Sequence, residues 1–269
     1  MIQSVDRALN ILMTVSDMRG EPVTLGIIAK RTGIHTSTCA HLVQTLCEKG
    51  FLSQVSRSSG YVLGAYAYYL TRYKAFHKEL VETCTPALNW IQKRTGHTAL
   101  LAILVDGEKF VISYAEDSKN QLHERGELFR GNLYNSATGR AMLSTMSRTE
   151  LNNLVQKIGL PKEEDWPGVN SMPALEKELR TLTDQKIVCI EDSSNGQYDS
   201  FYGISLRAPR LGNCAVGLHV RQESAPMEEE RLQTEKVLLA GAREINRRLR
   251  RGEIRAAKEY MENLGLEGI

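Results

Sequence analysis

Thr36, Ser37 and Thr38 open a helical pattern that runs to Lys49, and His41 and Gln44 continue the face that Ser37 begins. Hydroxyls at a helix N-terminus suit phosphate and base-edge contacts. A glutamine can pair with adenine through two hydrogen bonds. Arg57, at the tip between two strand-like runs, would meet a phosphate or the minor groove, or serve as an ordinary solvated turn. A second group lies far along the chain. Ser205 and Arg207 alternate with Ile204, Leu206 and Ala208, while His219 and Arg221 alternate with Val216, Leu218 and Val220. One face of this strand pair is apolar, and the other gathers polar groups around Gly217. That face is either the wet side of an antiparallel sheet or a site for a polar ligand.

Other chemistry finds less support. The five cysteines, Cys39, Cys47, Cys84, Cys189 and Cys214, form no C-x-x-C pair and have no histidine at zinc spacing, so reduced thiols and no metal are expected. Ser136, Ser205, His97, His123 and His219 with the chain's many acids could supply a triad in principle, as scattered residues of any chain this long could. The chain has no G-x-S-x-G elbow, H-E-x-x-H pair, phosphate loop or dinucleotide fingerprint. No catalytic residue and no cofactor is expected. The alternative is an α+β enzyme with an accessory DNA-binding module.

The elements that would hold these residues follow from periodicity. A helix is expected from Ser4, as its cap, to Asp17, with Val5, Leu9, Leu12 and Ser16 at i, i+4, i+7 and i+11, and Ala8 and Val15 beside them. Thr24 caps a second helix with Leu25, Ile28 and Ala29 inward, and Gly33 ends it. The third helix turns Cys39, Leu42, Val43 and Leu46 to the core. Runs 51–55 and 61–63 flank Ser56–Gly60 as a hairpin. The sum is a winged helix-turn-helix, with a small protein-binding or dimerising helical domain as the alternative. Segment 65–78, rich in tyrosine, continues as a linker helix. Beyond it come a helix over 79–95, a hairpin at Asp106-Gly107, and helices over 136–146, 149–158 and 172–185. Strands follow at 187–190, 203–209 and 214–221, and a long helix runs from Met227 to about Asn263. The predicted class is α+β, with a C-terminal domain built on an antiparallel sheet.

The chain has 269 residues, 42% of them hydrophobic, and a net charge of +2. This composition is globular, not disordered, and the length favours two domains. Residues 1–75 carry eight Lys+Arg against four Asp+Glu, residues 76–226 carry 17 against 19, and residues 227–269 carry nine of each. The positive surplus therefore lies where a polyanion would be met. The basic run Arg247–Arg251 reads as a solvated helix face. No apolar run approaches the roughly 20 residues of a membrane span, and the N-terminus lacks a cleavage-type site. A cytoplasmic protein is expected.

Four segments carry a resemblance: Ser4–Leu12 (SVDRALNIL), Ile27–Ile34 (IIAKRTGI), Leu42–Leu46 (LVQTL) and Gly60–Gly64 (GYVLG). They resemble the IclR family of bacterial transcriptional regulators, most strongly over the first 65 residues. The chain departs at His41, where the family usually has arginine. The resemblance implies a DNA-binding domain over 1–64, a linker helix over 65–78, and an effector-binding and oligomerisation domain over 79–269. It further implies a homodimer or homotetramer on an operator, controlled by a small molecule, often a carboxylate. Repression of a catabolic operon is the favoured outcome. Ser136-Ala137-Thr138-Gly139-Arg140-Ala141 stands for the family's Thr-Ala-x-Gly-Lys-Ala run, whose helix-start amides would hold an anion. His219 and Arg221 align with two small effector-contacting serines, and Glu191 or Asp192 with an acidic pocket position. The cysteine usual before the Ala-Pro pair is absent. The expected effector set is Ser136, Thr138, Gly139, Glu191, Asp192, Ser205, Arg207, His219 and Arg221, which would suit a sugar acid or another polar carboxylate.

Overall fold

The computed structural model describes residues 2–18, 20–71, 77–116, 130–193, 197–207 and 212–263. Residues 72–76 of the linker segment, His123, Ala208, Pro209 and Leu211 lie outside the described residues. The chain divides into two compact units, Met1–Phe76 and His77–Ile269.

In the first unit, α1 (Gln3–Ser16) follows Ile2 with no side-chain cap, so Ser4 lies within the helix and does not start it. Ile11 and Val15 are buried, with Ala8 and Leu12 half-buried beside them. Val5 and Leu9, equally spaced for the core, are instead 53% and 55% exposed. At about 100° per residue the apolar positions of α1 form two stripes, and the small core takes one. Ile2, Val5, Leu9 and Met13 make the outward stripe.

Helix α2 (Leu25–Thr32) is capped by Thr24, whose hydroxyl accepts from the Ile27 amide; such a cap contributes about 1 kcal/mol. It ends at Gly33 with φ of 67°, a conformation that costs glycine little. Helix α3 (Thr36–Glu48) buries Cys39, Val43 and Leu46. Strands β1 (Leu52–Ser56) and β2 (Gly60–Leu63) pair antiparallel, and Val23 bridges to Tyr61 through two bonds of 2.9 Å. A short helix, α4 (Ala65–Thr71), follows.

The second unit begins at His77, which has φ of 52° and precedes α5 (Lys78–Thr95). Leu80, Cys84, Leu88 and Ile91 are buried on the predicted side of α5. Strands β3 (Thr98–Val105) and β4 (Glu108–Ala115) join through Asp106 and Gly107. Both turn residues have positive φ, as a two-residue hairpin turn demands. Next come β5 (Arg130–Gly131), α6 (Ala137–Leu143), α7 (Arg148–Ile158) and α8 (Met172–Gln185). Then follow β6 (Val188–Asp192), β7 (Tyr198–Leu206), β8 (Cys214–Gln222) and α9 (Glu228–Asn263). The sheet is antiparallel in the order β5-β4-β3-β8-β7-β6.

Both faces of this sheet are covered. Leu101, Tyr202, Ile204, Val216 and Leu218 pack with α5 and α9 residues such as Ile91 and Leu238. Leu100, Ala102 and Ala215 pack on the other side with Ala137, Met142 and Leu175 of α6 and α8. Strand β7 begins at Tyr198, not Gly203, because Tyr198 pairs with β8 and Asp199 to Tyr202 are paired on both sides by β6 and β8. In α9, Arg247 and Arg248 both bind Glu244 at 2.7 Å, in keeping with a solvated charged face. No helix among the described residues is long and apolar enough to cross a membrane.

Glycine is required where α6 meets the sheet. A Cβ on Gly203 would run into the Ala137 backbone, and one on Gly217 would lie 2.6 Å from the Thr138 methyl. Gly203→Ala should therefore cost about 1–3 kcal/mol, measured as a lowered thermal or urea midpoint. Gly26→Ala on α2, where a Cβ meets nothing within 4 Å, serves as the control. Equal midpoints for the two variants would contradict this packing.

Lys109 in β4 is 5% exposed, and burial lowers its pKa from 10.5 to about 8. Between these values the unfolded chain binds more protons than the folded one, so stability rises with pH. Lys109→Met should stabilise the protein near neutral pH by on the order of 1–3 kcal/mol. That gain should shrink towards about pH 10. A gain independent of pH, followed by calorimetric unfolding, would refute the buried-ammonium account.

Candidate DNA-binding face and effector site

Thr36, Ser37, His41 and Gln44 are exposed on α3 and Thr38 is half-buried, while Cys39, Val43 and Leu46 face the core. The polar face follows from helical geometry, because 37, 41 and 44 fall at i, i+4 and i+7 opposite the apolar stripe. His35 Nδ1 lies 2.9 Å from Ser37 Oγ. Gln44 Nε2 donates to Glu48 Oε1 at 3.0 Å, which leaves its second N–H and its carbonyl oxygen pointing away from that bond. Arg57 is exposed at the hairpin tip, whose turn is shaped by the Ser59 amide donating to Ser56 Oγ at 2.8 Å. The α3 groups offer hydroxyl, imidazole and amide donors and acceptors, and Arg57 adds a cation at the hairpin tip.

In the second unit the α6 side of the sheet carries the chemistry. Asp199 and Arg221 are direct cross-strand partners, as are Phe201 and His219. Gly203 and Gly217 form the next row, beneath the start of α6. Asp199, 3% exposed, accepts from Arg221 Nε at 2.9 Å and Nη2 at 3.2 Å. The same carboxylate lies 2.7 Å from His219 Nε2. An ionised carboxylate only accepts, so Nε2 carries the proton of this bond. The Phe201 ring stacks on the imidazole with centroids 4.7 Å apart and planes 5° from parallel. Thr98 pairs with His219 from β3 and is 2% exposed. His97 Nδ1 is buried with no hydrogen-bond partner among the described residues. Burial, and secondly His219, lowers the His97 pKa.

The expected effector residues do not all meet here. Thr138 and Gly139 are buried at the start of α6. Ser136 caps that helix by accepting from the Gly139 amide at 3.2 Å, so this amide is already paired within the seven-residue helix. Asp192 is exposed at the end of β6 and pairs with Asp199. Glu191 projects to the opposite face, 3.8 Å from Arg231 of α9. Ser205 Oγ lies 2.8 Å from Thr145 Oγ1. Arg207 lies beyond β7, exposed, with its amide bound to Asn246 Oδ1 at 2.7 Å. Arg140, in the run shared with the family, lies 4.0 Å over the Trp166 ring and donates to the Tyr134 and Asp165 carbonyls. It braces the loop before α8. His219 pairs with Asp199 and Ser205 with Thr145.

Asp199 and Phe201 are absent from the sequence-based site. Extending the strand back to Tyr198 would have found them, since period two places Asp199, Phe201, Gly203 and Ser205 on one face.

The IclR helix-turn-helix domain model matches residues 4–56. The chain is 27% identical over 161 residues to the acetate operon repressor of Salmonella typhimurium, and 25% identical over the same length to the transcriptional repressor IclR of Escherichia coli. Each match covers 59% of this chain and 58% of the relative, so the chain spans less than two thirds of these curated proteins. A crystal structure of an IclR transcriptional regulator from Alicyclobacillus acidocaldarius has a TM-score of 0.69 at 18% identity, covering 93% of this chain and 99% of that one. An IclR homologue from Microbacterium hydrocarbonoxydans complexed with 4-hydroxybenzoate has a TM-score of 0.67 at 19% identity, covering 92% and 99%. At these identities the structures establish the fold. The matched proteins are transcriptional regulators, and residues 4–56 of this chain match the IclR helix-turn-helix domain.

Proposed function

We propose that the protein is a cytoplasmic repressor of a catabolic operon, bound to its operator through α3 and the wing and controlled by a small carboxylate. The working parts are a DNA-binding domain over 1–64, a linker over 65–78 and an effector-binding and oligomerisation domain over 79–269. The observation that carries the DNA reading is the outward polar face of α3, formed by Ser37, His41 and Gln44 opposite a buried stripe. Repression is supported by the two curated relatives, both named as repressors. A small-molecule effector is supported by the 4-hydroxybenzoate bound to the Microbacterium homologue. Ligand and DNA would be coupled through differential affinity for two arrangements of the DNA-binding domains, typically worth about 1–3 kcal/mol.

A symmetric dimer, or a pair of dimers, would place two recognition helices on half-sites about 34 Å apart or a multiple of that spacing. The outward stripe of α1 supports a second copy as its occupant. Ile2, Val5, Leu9 and Met13 are 41–70% exposed along one helical line, and a two-fold operator calls for a self-complementary contact of this kind.

The DNA reading predicts that combined alanine substitution of Ser37, His41 and Gln44 weakens operator binding by at least about tenfold with little change in melting temperature. Wild-type affinity should fall steeply as salt is added. Fluorescence anisotropy on the operator checks both, and an unchanged affinity would rule out α3 as the reading helix. Leu9→Glu should shift the sedimentation equilibrium towards smaller species and weaken operator binding. An undisturbed assembly would remove α1 from the interface.

A further inference from the structure

Glu48 ends the polar line of α3. Ser37, His41, Gln44 and Glu48 fall at i, i+4, i+7 and i+11, so they run along one face of the helix. The acids of residues 1–75 are Asp6, Asp17, Glu21 and Glu48, and Glu48 alone stands on α3. A negative charge on a surface that meets phosphates lowers affinity for every sequence alike. The contact that Glu48 makes acts differently. Gln44 Nε2 donates to Glu48 Oε1 at 3.0 Å, and both side chains are exposed.

A free carboxamide can present its edge in two ways, because its oxygen and its NH2 group exchange places when the plane turns over. An ionised carboxylate only accepts, so Glu48 admits the orientation in which the NH2 group faces it. One N–H of Gln44 is used there. The second N–H lies beside Oε1, and these two atoms form the free edge, one donor next to one acceptor. Turning the amide over would set Oε1 against the Glu48 carboxylate and lose a charge-assisted bond. The exposed glutamine thus has a defined order of donor and acceptor before any DNA arrives.

That order discriminates between purines. In the major groove adenine shows the N6 donor beside the N7 acceptor, whereas guanine shows two acceptors, O6 and N7. The free edge of Gln44 matches adenine with two hydrogen bonds. Against guanine it sets Oε1 on O6, acceptor on acceptor. Without Glu48 both hydrogens of the NH2 group are available, and the amide can donate to O6 and N7 together. We infer that Glu48 is the positioning residue that makes Gln44 select adenine over guanine. This rests on the DNA-binding reading of α3 given above. The partner is an A·T pair with its adenine turned to Gln44, once in each half-site, and Glu48 itself touches no base.

The test uses the full chain and a duplex that the wild type selects from a randomised pool. Each of the four base pairs is then placed in turn at every position, and affinity is read by fluorescence anisotropy. One position of each half-site should favour adenine over guanine by about tenfold or more. Gln44→Ala should flatten that position and no other, which identifies it. Glu48→Ala should reduce the adenine preference there by about three- to tenfold, chiefly through tighter binding of the guanine duplex. Glu48→Gln, whose amide can accept from Gln44 or donate to it, should fall between wild type and Glu48→Ala. A role confined to helix stability would lower the thermal midpoint of Glu48→Ala and leave its base preferences unchanged. An adenine preference intact in Glu48→Ala would therefore overturn the inference. Base preferences unchanged at every position in Gln44→Ala would overturn it as well, leaving α3 to bind through Ser37 and His41. A wild type that selects no sequence from the pool would overturn both this inference and the DNA-binding reading.

Discussion

Helix α6 lies so close to the sheet that a single Cβ on Gly203 would occupy the space of the Ala137 backbone. Gly217, directly opposite on β8, takes the Thr138 methyl in the same way. Two adjacent strands without side chains at one level let a helix backbone rest on the sheet itself. Leu100 and Ala215 then complete the apolar seal with Ala137 and Met142. Beyond this seal, at the level of Phe201 and His219 and then of Asp199 and Arg221, the side chains become polar. The glycine pair thus marks where the tight helix contact ends and the polar part of the face begins.

The first domain solves a different problem with the same economy. A core of small size, built from residues such as Ile11, Val15, Ile28, Cys39 and Val43, leaves few side chains to hold α3 at a fixed angle. Fixed backbone features supply the rest. Thr24 caps α2, Gly33 bends the chain into α3, and Gly60 lets Val23 join the hairpin as a third strand segment. The charge distribution agrees with this use, because the net positive charge of the chain lies in this domain.

Features with local causes were legible in the sequence. The Thr24 cap, the left-handed Gly33, the Asp106-Gly107 turn and the buried line of α5 each depend on residues within one or two turns of one another. Features set by distant partners were not. Either stripe of α1 could have faced inward, and only the packing of α2 and α3 decides for Ile11 and Val15. Strand β7 begins with polar residues that break its alternation, and its extent depends on β6 and β8. Of the site, the positions of His219 and Arg221 were read correctly as sharing one sheet face. Their shared anchor was missed, since Asp199 lies 20 residues from His219 in sequence. Glu191 and Asp192 are one residue apart on opposite faces of β6, and only the ladder tells them apart.

The cysteines acquire a meaning from where they are buried. Cys39 is enclosed in the first domain, and Cys84 and Cys214 in the second, all at 0% exposure. Burial pushes the thiols of Cys84 and Cys214 up to about 12, so almost none is present as the reactive thiolate in the closed state. An alkylating reagent can therefore reach them only when the surrounding domain opens. Each domain contains its own clock of spontaneous opening, written in sulfur, and the two clocks can be timed separately in the same intact chain by which peptide becomes labelled.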